Sequence, residues 1–238
     1  MKPILILLIT GVQDLPYHHW EKTTPVLKQY VEAGGKAQLK VIDNPATITK
    51  ETLKGAKGLI LHYNGPRWGA TAEKAVEEFV RKGGGFVSLH GVSYGPLFGQ
   101  VFEKRWRPGP DNGWPAYGDL LGATWKVENI GHARRGPFKL KWIAPQHPIA
   151  RGLDPEFATD DELYHKLDLK AGIEVLATAW SDPKVGGTGK DEPMVWVGKF
   201  GKGKIVHIPL GHDDRAMGFP GFRDAFTRSV MWSAGALR

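Results

Sequence analysis

Residues 4–10 are apolar at every position but the closing threonine, and a strand without a polar face has to be covered on both sides. Behind it, Trp20–Glu32 carries Val26, Leu27, Tyr30 and Val31 at helical spacing, with Gly34-Gly35 as the stop. The alternation then repeats. Ala37–Ile42 reads as a second strand, residues 49–53 as a short helix and residues 58–63 as a third strand. Ala70–Arg81 turns Ala72, Ala75, Val76, Phe79 and Val80 inward, closes at Gly83-Gly84-Gly85 and leads into a fourth strand, 86–90. Strands joined by helices run parallel, so the expected fold is a doubly wound α/β sheet, mostly parallel, with helices on both faces. The triple glycine follows a helix and precedes a strand. That is the reverse of a phosphate-binding loop, and it is read as a helix stop.

The second half is richer in strands, expected at 124–130, 137–143, 173–179, 194–200 and 204–210. The last two are joined by a hairpin turn at Phe200-Gly201-Lys202-Gly203-Lys204. These strands are antiparallel additions to the parallel half. Residues 222–236 form a closing helix with Phe222, Ala225, Phe226, Val230 and Met231 on its apolar face. Residues 105–122 read as a long loop directly after the fourth strand. With 238 residues, no repeat and no linker, a single domain is expected.

Composition matters mainly through what is missing. There is no cysteine, which removes disulfides, thiolate zinc sites, iron–sulfur clusters and a cysteine nucleophile. The formal charge is +7, but the basic residues are scattered, and the densest stretch (His132, Arg134, Arg135, Lys139, Lys141) is short. A solvated surface is expected, with no nucleic-acid partner. No segment approaches the roughly 18 consecutive apolar residues of a membrane span, so no membrane association is expected. The opening apolar run lacks a small-residue cleavage signal and reads as a strand. The compartment is left open between the cytoplasm and, had an export signal preceded this run, the periplasm or exterior.

Open parallel sheets bind ligands beyond the carboxyl ends of their strands. Four reactive clusters come just after predicted strands: His18-His19, Asn64 with Arg67 and Trp68, His90, and His212-Asp213-Asp214. Each has a plainer alternative. His19 fits a helix start beside Thr23 and Thr24. His90 fits either a buried, satisfied histidine or a side chain presented on a sharp strand-to-helix turn. His212 fits a general base oriented by a carboxylate, a metal ligand, or a helix start capped by Asp. His62 and His207 fall inside strands and suit core or supporting roles, His147 a turn, and His132 a solvated loop. Asp161-Glu162-Leu163-Tyr164-His165 reads as the polar start of a strand, with Glu162 and Tyr164 on one face and His165 on the other. Trp68 and Trp114 lie in Gly/Pro-rich loops at the same edge, suited to stacking on a sugar ring or to anchoring their loops.

In this order, the chain resembles the ThuA-like, trehalose-utilisation family. The resemblance is carried by His18-His19-Trp20 with Thr23-Thr24-Pro25-Val26-Leu27, Tyr63-Asn64-Gly65 with Arg67-Trp68, and Gly83 through His90. It continues in Trp114-Pro115 with Tyr117, His147-Pro148-Ile149 with Gly152-Leu153, and Asp161-Glu162-Leu163-Tyr164. It closes with Glu192-Pro193-Met194-Val195-Trp196, Gly201-Lys202-Gly203-Lys204, Gly211-His212-Asp213 and Trp232. The departures are His19 where many relatives have Asp, the Gly91-Val92-Ser93 turn, and a longer 99–113 segment. The resemblance implies a class I glutamine amidotransferase-like, flavodoxin-like fold in which His90 stands about where the amidotransferases carry their cysteine nucleophile. Thiol-dependent glutamine hydrolysis is thereby excluded.

The same resemblance implies carbohydrate chemistry: an enzyme acting on a keto-sugar or glycoside as a hydrolase, lyase or isomerase. His212, oriented by Asp213, is then base or ligand, His90 electrophile or ligand, and Glu162 a second acid/base or ligand. His18, Asn64, Arg67 and Tyr164 bind the substrate, and Trp68 and Trp114 stack its ring. A divalent metal such as zinc suits the same donors, with His90, His212 and Glu162 as candidate ligands. The alternative is a non-catalytic sugar-binding or regulatory module. A small carbohydrate is the expected partner, and a homo-oligomer is compatible with either reading.

Overall fold

The structure, a computed structural model, describes residues 2–11 and 18–237. The first half runs β1 (Ile4–Ile9), α1 (Trp20–Glu32), β2 (Ala37–Ile42), β3 (Ala56–Leu61), α2 (Ala70–Arg81), β4 (Gly85–Ser88), β5 (Gln100–Glu103), β6 (Arg105–Pro108) and α3 (Tyr117–Leu121). The second runs β7 (Ala123–Thr124), β8 (Gly136–Trp142), β9 (Glu156–Asp161), β10 (Asp168–Leu169), β11 (Glu174–Trp180), β12 (Asp191–Phe200), β13 (Gly203–His207), α4 (Asp214–Met217) and α5 (Pro220–Ser233).

Among the described residues nine strands form one sheet in the order β2-β1-β3-β4-β13-β12-β11-β8-β9. The first five run parallel. From β13 outward every pairing is antiparallel. Four reversals return β9 to the direction of β13, so β9 delivers its last residue to the edge where the parallel strands also end. β1 is buried on both faces, as its unbroken apolar run requires. β2, at the sheet edge, alternates buried and exposed residues along most of its length.

The helices divide between the faces. Leu27 and Val31 of α1 share one core with Phe222, Ala225, Phe226 and Val230 of α5. Ala72, Ala75, Val76 and Val80 of α2 share the other with Tyr117, Leu120 and Leu121 of α3. Each fully buried ring, such as Phe222 or Phe226, contributes about 2 kcal/mol to this packing.

Several local expectations give way to tertiary context. Residues 49–53 were expected to be helical, and Thr49 and Thr52 do cap each other reciprocally: each backbone N–H donates to the other's hydroxyl at 3.2 Å. Gly55, at φ +81°, turns the chain after that single turn. In the expected strand 124–130 only the start pairs: Ala123–Thr124 lies against the two-residue β10, which offers no longer partner. The expected loop 105–122 contains β6, paired with β5 around Lys104 at φ +61°, and α3. This hairpin has no Asn-Gly signal in its turn, which hid it. Asp161 ends a strand, β9, instead of starting one. β4 stops at Ser88, so His90 lies beyond the strand. From His90 the chain enters a turn through Gly91 (φ +81°) and Gly95 (φ +102°), so the strand-to-helix turn, one of the two alternatives for His90, does not form.

Candidate active site

Three turns beyond the sheet's carboxyl edge are tied together by backbone. The His90 N–H donates to Leu210 O at 3.2 Å, joining the turn after β4 to the segment after β13. Asp161, buried at the end of β9, accepts from Gly211 N (2.7 Å), Glu162 N (2.8 Å) and His212 N (3.4 Å). Burial pushes the Asp161 carboxyl up against these hydrogen bonds. One carboxylate therefore holds the two residues that carry the next layer, Glu162 and His212.

His90 is oriented from behind. Its Nδ1 lies 3.2 Å from Pro209 O, and a carbonyl can only accept, so Nδ1 carries the hydrogen and Nε2 keeps its lone pair. Around that Nε2 stand the Tyr164 hydroxyl at 2.8 Å, His212 Nδ1 at 3.1 Å and Glu162 Oε2 at 3.4 Å. Glu162 Oε2 is also 3.5 Å from His212 Nδ1, and its Oε1 is 3.5 Å from His132 Nε2. His18 sits against both rings, edge to face, with centroids 5.3 Å from His90 and 5.2 Å from His212. One ring nitrogen from each of His18, His90 and His212 lies within 4.8 Å of the others, a spacing that can hold a metal ion. Gly91 is required here twice over. Its φ is +81°, and a Cβ on it would come within 2.7 Å of the His18 ring.

The electrostatics follow from burial set against neighbours. Burial raises the Glu162 carboxyl, but the imidazoles of His212 and His90 beside it outweigh that and hold the group far below the usual carboxylate range. Burial disfavours a charged His212, yet Glu162 prevails and keeps that imidazole above its ordinary value. Burial, reinforced by the neighbouring His90 and His212, pulls His18 down to about 2. Burial also pushes the Tyr164 phenol well above its usual range, so it remains a hydroxyl donor.

Above this cluster opens a cleft of about 450 Å³, walled by Tyr94, Trp106, Trp125 and Tyr164 and floored by His132, Glu162 and His212. Tyr94, Trp125 and Tyr164 form a small apolar core of their own with Trp106 packed against it. The geometry thus gathers His18, His90, Glu162, Tyr164 and His212, and it adds His132, which the sequence placed in a solvated loop. The pairing of His132 with Tyr164 across an isolated bridge puts it there, and nothing in its own stretch of sequence signals that partner.

Other candidates lie elsewhere. Asp213 does not orient His212: it pairs with Arg135 at 2.8 Å and caps α4 by accepting from Ala216 N at 2.8 Å, the plainer of its alternatives. Asn64 is buried, and its amide donates to the carbonyls of Gly91 and Tyr94, fixing the turn beyond β4. Trp68 and Trp114 pack against each other in the core with centroids 5.3 Å apart, and the Trp114 indole donates to Glu77 at 2.6 Å; they anchor loops. His19 is exposed at the start of α1. Arg67 makes a bidentate pair with Glu73, 2.6 Å at both contacts, and Glu73 is buried. Truncating Arg67→Ala strands that carboxylate, and a loss of about 3 kcal/mol is expected in urea unfolding, with the cleft's affinity for its ligand unchanged.

Comparison with known proteins places the chain in a family and a fold. The profile of the ThuA family, described as trehalose utilisation, matches residues 6–233. The chain belongs to the ThuA family. A putative ThuA-like protein from Parabacteroides merdae ATCC 43184 is similar over 99% of this chain and 92% of its own, at 26% identity and a TM-score of 0.80. One from Bacteroides uniformis ATCC 8492 covers 97% of this chain and 91% of its own, at 18% identity and a TM-score of 0.74. The CTPS glutaminase domain of Trypanosoma brucei, bound to acivicin, shares the fold at 10% identity and a TM-score of 0.56, over 98% of this chain and 94% of its own. Among curated proteins none matches this chain. ThuA membership and the amidotransferase-like fold therefore agree with the resemblance carried by the sequence.

Proposed function

We propose that this ThuA-family protein is an enzyme of carbohydrate utilisation that acts on a keto-sugar or a glycoside by imidazole–carboxylate acid–base chemistry. The observation that carries this reading is Glu162, placed between His90, His132 and His212 on the floor of an aromatic cleft. A binding module needs amides and aromatics, and has little use for three imidazoles around one carboxylate. Aromatic walls suit the apolar face of a sugar ring, and a cleft of about 450 Å³ has room for one ring and its substituents.

His212 is the group best suited to move a proton, since Glu162 supports its charged form and it faces the cleft. Glu162, held so far down, is a poor proton acceptor and instead fixes and polarises His212. The Tyr164 hydroxyl and His90 complete a hydrogen-bonded set that a sugar carbonyl or hydroxyl can join. Next to a ketone, a ring C–H is acidic enough for an imidazole to remove its proton, which opens routes to cleavage or isomerisation.

The test offers the purified protein a panel of glycosides and their ring-oxidised keto forms, with products detected by NMR and binding by calorimetry. Turnover of a keto-sugar or glycoside that falls at least tenfold with Trp106→Ala is the expected result. Binding without turnover would assign the non-catalytic alternative. Neither binding nor turnover would overturn both.

A further inference from the structure

We propose that His18, His90, His212 and Glu162 form a mononuclear site for a divalent transition metal, with zinc the best-matched ion. The proposal stands on donor geometry and not on the functional reading, although the cleft is the same. His90 Nε2, His212 Nδ1 and Glu162 Oε2 form a triangle with edges of 3.1, 3.4 and 3.5 Å. A tetrahedral zinc with bonds of about 2.1 Å to nitrogen and oxygen spaces its ligands about 3.4 Å apart. Three donors from three different turns thus already outline one face of such a polyhedron. His18 supplies the fourth corner, its ring nitrogen within 4.8 Å of those of His90 and His212.

The orientation of the donors fits as well. The Nδ1–H of His90 is spent on Pro209 O, so the lone pair on Nε2 faces the cluster; metal-bound histidines are commonly held this way, through their other nitrogen. Asp161 grips the backbone of both Glu162 and His212, fixing two ligands from one buried carboxylate. Imidazole with carboxylate is a borderline donor set that favours zinc and its neighbours over calcium or magnesium. Without cysteine in the chain, no thiolate competes for the ion. The cluster borders the cleft through Glu162 and His212, so a bound cation would stand where a fifth ligand oxygen could join it from the cleft, with Tyr164 and His132 beside it to carry protons.

The experiment strips the protein with chelator, dialyses the chelator away and titrates with zinc by calorimetry and with cobalt by visible absorption, with no sugar present. One equivalent per chain is expected, with the intense d–d bands of low-coordinate cobalt. His18→Ala, His212→Gln and Glu162→Gln should each weaken binding at least tenfold, while His147→Gln should leave it unchanged. Should His18→Ala prove unfolded by circular dichroism, His212→Gln and Glu162→Gln carry the test, both being on the less buried, cleft-facing side. Sub-stoichiometric binding, or a site that survives His212→Gln and Glu162→Gln intact, overturns the proposal. Sugar turnover by a protein that binds no zinc or cobalt would overturn the metal site and leave the functional reading standing; stoichiometric metal binding without any sugar chemistry would do the opposite.

Discussion

Glu162→Gln is expected to lower turnover on a productive sugar by about a hundredfold or more, the scale of losses when a positioned proton-transfer group is disabled. The amide keeps the shape of the side chain but removes the charge that supports a protonated His212, 3.5 Å away. Two signatures separate this from a structural defect. In metal-free protein the limb of the pH profile belonging to His212 should move to lower pH, because there Glu162 is what holds that imidazole above its ordinary value. The double variant Glu162→Gln with His212→Ala should be little worse than His212→Ala alone, since groups acting as a unit lose their joint contribution once. An unchanged profile with reduced turnover would count against the pairing. Turnover within a few-fold of the parent would remove Glu162 from the chemistry.

Acid should unfold this protein more steeply than its carboxylates alone would cause. His207 is fully buried between Ser88 Oγ at 2.6 Å and Ser93 Oγ at 2.9 Å, and burial, then the nearby His90, pulls it down to about 3. His62, buried beside the Thr23 hydroxyl at 2.9 Å, is pulled down to about 4 by the same two causes. In the unfolded chain both take up a proton near pH 6.5. Below that value the unfolded state binds more protons than the folded one, so stability falls as pH drops, by about 1.4 kcal/mol per unit for each histidine. The loss begins near pH 6.5 and continues until each folded-state value is reached. Between pH 6.5 and 4.5 the pair costs about 5 kcal/mol, comparable with the whole stability of many domains. Asp161, whose acid form burial favours, pulls the other way. Urea midpoints measured in chelator from pH 7.5 to 4.5 check this, and His207→Gln should flatten the slope by about one proton. A curve level down to pH 5 would show that these histidines are not held neutral.

How much of the site could be read in advance depended on where each side chain's partner lay. His18, His90 and His212 were found by one rule, that parallel strands present ligand-binding residues beyond their carboxyl ends. Glu162 came through family resemblance; its own stretch of sequence was read as the start of a strand, whereas β9 ends just before it. Asp213 was assigned to His212 because the two are adjacent, yet its oxygens are taken by Arg135 and by the N-terminus of α4. Trp68 and Trp114 had loop-like neighbours but core destinations, and the aromatics that wall the cleft include Trp106, on a hairpin with no turn signature.

By itself, the sequence determined the alternation of buried strands and amphipathic helices, the parallel half-sheet that this alternation dictates, the edge at which the candidate residues would collect, and the absence of a thiol among them. These are local or compositional properties, set by residue spacing over a few turns of chain. Only the tertiary structure decided which carboxylate meets which imidazole. Four antiparallel reversals had to return β9 to the direction of β13 before Glu162 could stand at the same edge as His90, and a bridge between Tyr164 and its distant partner had to form before His132 could join them. Pairings of this kind are fixed by strand order and sheet direction, which no window of sequence contains.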